Sequence, residues 1–198
     1  MSNDEAEREF IQALKRGDQA ALERLVLRYQ GQVYRLCLRV LKDELEAEDM
    51  TQETFLRACK AMPLFRADSV LSTWLFKIAL NVCRNRLEYL RRRRGSRHRL
   101  ISELEGDHWQ LGHATSETPE QRSTRDEAQR HLELTYQGLS ADHRLLLGLR
   151  DGEGLSYQEI SEVTGWPEGT IKSKLHRARK LLAQGYRALQ SGGSDESD

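Results

Sequence analysis

Residues 169–182 carry Lys172, Ser173, Lys174, His176, Arg177, Arg179 and Lys180, with no acid among them. Ammonium and guanidinium groups neutralise phosphates, and an arginine fork matches the O6 and N7 edge of guanine. Ile171, Leu175, Ala178 and Leu182 recur at i, i+4, i+7 and i+11 in the same segment. That spacing predicts a helix with one buried stripe and basic or hydrogen-bonding groups, Thr170 included, on its other faces. Just upstream, Ser156 and Glu159 have the S-x-x-E spacing of a capping box, which starts a helix near Tyr157. Gly165 suits a left-handed helix stop, and Pro167 suits the first turn of the next helix. Residues 154–182 therefore read as a helix-turn-helix whose second helix fits a DNA groove. The plainer alternative is a solvated basic face on a structural helical hairpin.

A second chemistry to weigh is that of the acids. Asp49 and Glu53 fall on one helical face, but nothing in the sequence brings two carboxylates into an apolar cleft. At that spacing acids serve solvation or partner contact more often than proton transfer. No Walker loop, dinucleotide fingerprint or G-x-S-x-G elbow occurs, so an enzyme is the weakest class. Cys37, Cys59 and Cys83 are far apart and lie in apolar helical patterns, as buried free thiols do. His108 and His113 stand in a polar stretch without the paired spacing of a metal site. No metal and no cofactor are expected.

The elements that position these groups are helices. The 198-residue chain has 31 basic and 31 acidic residues and only three prolines, a composition that fits an all-α protein. The zero net charge is segregated in blocks. Residues 43–53 hold six acids and no base, residues 84–99 hold eight arginines, and residues 100–121 hold five acids without lysine or arginine. Such blocks imply two nucleic-acid-facing patches, an acidic connector and an acidic partner surface. Along the chain, a short helix near residues 4–15 ends at Gly17-Asp18. A long apolar-periodic stretch follows from Gln19 to Leu41, with a possible loosening at Gly31. Asp49 and Gln52 could cap the next helix, with Phe55, Cys59 and Met62 inward and Asp49, Gln52, Glu53 and Leu56 outward. Pro63 ends it. Phe65, Arg66, Ala67, Asp68 and Ser69 read as a loop. A helix over 70–93 then buries Leu71, Trp74, Leu75, Ile78 and Val82 and turns Lys77, Asn81, Arg84, Asn85 and Glu88 outward.

Residues 96–125 lack sustained periodicity, so a domain boundary falls there. The expected division is 1–95, a linker 96–125, a second helical domain 126–190 and a polar tail 191–198. The fold class is thus two small helical domains joined by a flexible acidic linker. No apolar run reaches the ~18 residues of a bilayer span, and no signal-peptide core follows Met1, so no membrane insertion and a cytoplasmic location are expected.

The order DMTQETFLRA, FRADS, STWLFKIALNVCRNRLEYLRRRR and GLSYQEISEVTGWPEGTIKSKLHRARKLL resembles bacterial RNA polymerase sigma factors of the extracytoplasmic-function (ECF) branch. The resemblance covers roughly residues 9–94 and 126–189. It implies that Asp49, Gln52, Glu53, Phe55 and Leu56 dock on the clamp helices of the polymerase large subunit. It implies that the loop Phe65, Arg66, Ala67, Asp68 and Ser69 holds a base flipped from the non-template strand of the −10 element. Asn81 and Asn85, flanked by Lys77 and Arg84, fall on the helix face that helps read and open that element. Thr170, Lys172, Ser173, Lys174, His176, Arg177 and Lys180 fall on the helix that recognises the −35 duplex. Lys172 and Lys174 stand where arginine is common in the family, and His176 where an apolar or aromatic residue is frequent. An anti-sigma factor is a further expected partner. The rival reading is a helix-turn-helix transcription regulator that acts without being a polymerase subunit. A protein–protein adaptor with basic helices is the third.

Overall fold

The computed structural model describes residues 3–95 and 131–192, and every regular element among them is helical. The linker 96–125, with His108 and His113, and residues 193–198 of the tail lie outside the described residues.

The first domain begins with α1 (Asn3–Lys15), which buries Phe10 and Leu14. Gly17 then takes a positive φ of 74°, and the Asp18 carboxylate caps α2 (Gln19–Leu41) by accepting from the Ala21 N–H at 2.8 Å. α2 passes Gly31 without interruption and buries Leu25, Tyr29, Val33, Leu36 and Cys37. Lys42 closes it in a left-handed conformation, and Asp43 accepts from the Glu46 N–H to cap α3 (Glu44–Ala61). The cap is therefore Asp43, not Asp49 or Gln52. A capping carboxylate must meet the free N–H groups of a first turn, and Asp49 lies inside the helix. A 3₁₀ turn (Met62–Leu64) containing Pro63 ends this unit, and α4 (Leu71–Gly95) crosses over α2 and α3. Cys37 and Cys83 are buried free thiols, while Cys59 is half-buried. The hydrogen bond from Cys37, with burial second, pushes the Cys83 thiol up and keeps it protonated.

In the second domain, helical residues 131–137 (α5) meet α6 (Ala141–Leu147) at a corner capped by Ser140. The buried Arg144 fixes that corner, donating from Nη1 to the carbonyls of Gln137 and Leu139 at 2.9 and 2.5 Å. α6 runs into a π-turn (Gly148–Gly152), followed by α7 (Tyr157–Thr164) and α8 (Glu168–Gly192). Both halves of the capping box on α7 form: Glu159 N–H reaches Ser156 Oγ at 3.2 Å, and Ser156 N–H reaches Glu159 Oε2 at 2.7 Å. Gly165 ends α7 at φ 77°, where a side chain would be strained. Pro167 precedes α8 and receives its first backbone hydrogen bonds.

The backbone N–H of Ser156 is the first cause that holds the Glu159 carboxyl below the usual carboxylate range. A depressed native value adds stability above the unfolded value and loses it as pH falls through the native one. Glu159→Gln, which removes the charge, should therefore lower the melting temperature at neutral pH, with the gap from wild type narrowing in acid as the wild-type carboxyl protonates. Ser156→Ala keeps the backbone N–H that Glu159 accepts from and loses only the Oγ cap, at a cost of about 1 kcal/mol.

The apolar core runs continuously through both domains. α7 packs on α4, and α6 on α2. This contact widens the buried arc of α4 beyond the expected stripe. Leu71, Leu75 and Val82 are buried as expected, but Thr73, Phe76 and Leu80 are buried as well, while Trp74 and Ile78 are only half-buried. The sequence period of one helix does not reveal a neighbour contributed by the other domain.

Candidate nucleic-acid interface

On α8 the apolar stripe is buried as its spacing requires: Ile171, Leu175 and Ala178 are closed off and Leu182 is half-buried. Ser173, His176, Arg177 and Lys180 are exposed on the opposite side, with Thr170 half-buried beside them. The two lysines of the predicted set sit differently. Lys174 Nζ is 2.6 Å from Asp142 Oδ2 at the start of α6 and 5.0 Å from the Trp166 ring centroid. Lys172 Nζ is 3.5 Å from Glu168 and 5.4 Å from the Tyr157 ring centroid. Both lean towards the flanks of the helix, where groove walls and phosphates would lie, while Ser173 and Arg177 hold the centre. Arg179 is drawn back to Asp151 of the π-turn at 2.6 Å.

On α4, Lys77, Asn81, Arg84, Asn85 and Glu88 are all exposed, as their spacing predicts. Arg84 is not idle: its Nη2 donates to the Thr164 carbonyl of α7 at 3.1 Å. The preceding loop turns through Ala67, a non-glycine residue at φ 59°. A left-handed alanine is uncommon and stores backbone strain that the surrounding loop must hold. Arg66, Ala67 and Asp68 are exposed, Ser69 is half-buried, and Leu64 and Val70 stand out on either side. Phe65 differs from the expectation. It is 3% exposed and packs on Trp74 with ring centroids 4.9 Å apart, so it floors the loop instead of lining an open pocket.

On α3, Asp49 and Gln52 are exposed, Glu53 is half-buried and Leu56 is 58% exposed. Phe55, expected in the same set, is 7% exposed in the core. Its neighbour position in sequence puts it about 100° round the helix from Leu56, on the inner side. The outward residues form one wall of a groove whose other wall is α4, with Val82, Asn85, Arg86 and Tyr89. Arg86 braces the two helices by donating to both Glu46 oxygens at 2.5 and 2.8 Å, and its guanidinium stacks 5.3 Å from the Tyr89 ring centroid. The hydrogen bond to Glu46 raises the Arg86 pKa further above its ordinary value. Asn85 thus shares a groove with the α3 set, although the sequence places it with Asn81. Tyr89, 50% exposed, was hidden by the arginine-rich run around it. Its signal is the i, i+4 relation to Asn85.

Among the described residues no group of histidines, cysteines and carboxylates could hold a metal ion, and no helix is long and apolar enough to cross a membrane. Residues 25–95 match the sigma-70 region 2 family, and residues 132–182 match sigma-70 region 4. The RNA polymerase sigma-H factor of Pseudomonas aeruginosa is 37% identical over 96% of this chain and 98% of its own length. The ECF RNA polymerase sigma-E factor of Salmonella typhimurium is 33% identical over 92% of this chain and 95% of its own. The chain is an ECF sigma factor. The fold of this sigma factor is also that of RpoE from Bartonella quintana, solved with the anti-sigma factor NepR, at a TM-score of 0.65 and 23% identity over 83% of this chain and 96% of that one. The region 2 match takes in the α3–α4 groove and the loop, and the region 4 match takes in α7 and α8 as far as Leu182.

Proposed function

We propose that this sigma factor docks on the clamp helices of core RNA polymerase through Asp49, Gln52, Glu53 and Leu56. The outward arc of α8 then reads the −35 duplex, and the loop at residues 65–69 with Asn81 and its neighbours on α4 captures the non-template strand of the −10 element. The observation that carries this reading is the pairing, in one chain, of an exposed basic recognition helix with an exposed polar face beside a strained loop. Base capture costs a few kcal/mol of lost stacking, which contacts in the loop must return. Strand opening of this kind is driven by binding, so no covalent step or hydrolysis is assigned to the chain. The domain division that fits is 1–95 for region 2 and 126–190 for region 4, with 96–125 threading the polymerase channels and 191–198 as a tail. The site of action is the cytoplasm. An anti-sigma factor is the proposed regulator, a reading supported by the Bartonella relative of the same fold. A free-standing helix-turn-helix regulator is not favoured, because it has no need of the region 2 face.

Purified protein and core polymerase should together initiate at discrete genomic sites, and mapping those starts gives the two promoter elements. Absence of any association with core polymerase would sink the proposal. Within that assay, Arg66→Ala is expected to slow open-complex formation several-fold while leaving thermal stability unchanged, since its side chain is exposed.

A further inference from the structure

A cavity of about 230 Å³ opens where α2, α5, the π-turn and α8 meet. It lies on the side of α8 that carries Leu182, opposite the exposed reading arc. Leu132 and Tyr136 of α5, Leu147 and Gly148 at the entry to the π-turn, and Leu182 give it apolar walls, and Arg39 of α2 closes one side. The Tyr136 hydroxyl is committed to the Arg144 carbonyl at 3.2 Å. Burial pushes the pKa of that phenol up, so it stays neutral.

The charges around the cavity leave one cation over. The Glu153 side chain, at the end of the π-turn, is 1% exposed and accepts from Arg35 Nε and Nη2 at 3.2 Å each. Arg39 Nη1 lies 3.5 Å from the same carboxylate, as an ion pair without a hydrogen bond. Two arginines thus share one acid. Arg39, with its side chain 10% exposed, has no hydrogen-bond partner at Nε or Nη1 among the described residues. The other acids on the cavity are engaged elsewhere: Asp151 holds Arg179 at 2.6 Å, and Glu133 has a contact of its own. Gly148 and Gly152 make the room for the guanidinium. A Cβ at Gly148 would stand 2.6 Å from Arg39 Cδ, and one at Gly152 3.1 Å from Arg39 Nη2. A buried guanidinium with unmet donors is costly, and an added acceptor stabilises it. The apolar walls beside it define what else a ligand must carry.

We propose that this cavity is a binding site for a small organic anion, a carboxylate on a short apolar or aromatic body. Arg39 takes the carboxylate, and Leu132, Tyr136, Leu147 and Leu182 enclose the body. A guanidinium pairs with a carboxylate through two parallel hydrogen bonds, which fixes the orientation of the ligand as well as its charge. The volume is below the ~300–1,000 Å³ of sites for drug-sized ligands, so the ligand is a small one. A phosphate ester fits less well, because it brings a second negative charge towards Asp151 and Glu133 against a single surplus cation. A cationic or purely apolar ligand leaves the Arg39 donors unmet. The site uses no residue of the promoter-reading or polymerase-docking faces, so it stands apart from the function proposed above.

The probe is phenylbutyrate, compared with phenylbutanol and phenylbutylamine, which share its body and differ in the head group. Titration of the full-length protein, followed by calorimetry and amide NMR, should show saturable one-to-one binding of the carboxylate. The amide shifts should centre on Gly148, Gly152 and Leu182. The alcohol should bind about tenfold more weakly, the weight of a charge-assisted hydrogen bond, and the amine more weakly still. Arg39→Met keeps an unbranched stem beside the two glycines and should erase the advantage of the carboxylate over the alcohol. Leu132→Trp fills the cavity from a residue that is 39% exposed, so it should block all three compounds in a folded protein. If Arg39→Met misfolds, Leu132→Trp and the ranking of the three compounds decide the matter. Equal affinity for alcohol and carboxylate, shifts confined to the exposed basic arc of α8, or no saturable binding overturns the proposal.

Discussion

Phe65→Ala is expected to lower the stability of the first domain by about 3–5 kcal/mol, the usual cost of removing a buried aromatic side chain. The ring is closed off from solvent and packs against Trp74 at the foot of α4. For a domain of this size each kcal/mol shifts the melting temperature by about 4–8 °C, so the loss should be plain in a thermal melt. Strand opening should fall as well, because the strained Ala67 turn is anchored through that ring. Phe65→Leu separates the two effects. It refills much of the volume, and is expected to recover most of the stability. A direct stacking role for Phe65 on a flipped base predicts the opposite, with stability near wild type and opening still lost in the leucine variant.

That contrast shows how far the sequence carries. The helix-turn-helix was legible because its signals are local: Ser156 and Glu159 cap across three residues, and Gly165 marks its own left-handed turn. The outward arc of α4 was legible from its period for the same reason. The spacing of α3 likewise put Phe55 inward, where it is buried, although the family motif groups it with the docking residues. Phe65 was not legible, since a family motif records which residues recur and not which way each side chain faces. The burial of Phe65 in the core is a property of the packed helices. The closed contact between the domains was hidden for a further reason. Glu153 and Arg35 are 118 residues apart in the chain, and neither has a neighbour in sequence that hints at the other.

Arg177→Ala is expected to reduce discrimination at one position of the −35 element by about 1–3 kcal/mol, the contribution of a bidentate arginine–guanine contact. Its guanidinium is exposed at the centre of the α8 arc, without an acid on either adjacent turn. Lys174→Ala should behave differently. Its ammonium is already paired with Asp142 and lies over Trp166, so it must give up those contacts to reach DNA. From the flank of the helix it meets a phosphate, and its removal should weaken all −35 variants alike and lower the salt slope of binding by about one. Binding by polymerase holoenzyme to a panel of single-base −35 variants, at several salt concentrations, measures both. A uniform loss for Arg177→Ala would reassign it to the backbone, and a base-selective loss for Lys174→Ala would place that lysine in the centre of the groove. Because Lys172 leans to the opposite flank, towards Tyr157, the same panel tests whether α8 sits symmetrically between the two groove walls. Equal, base-independent losses for the two lysines are the expected result.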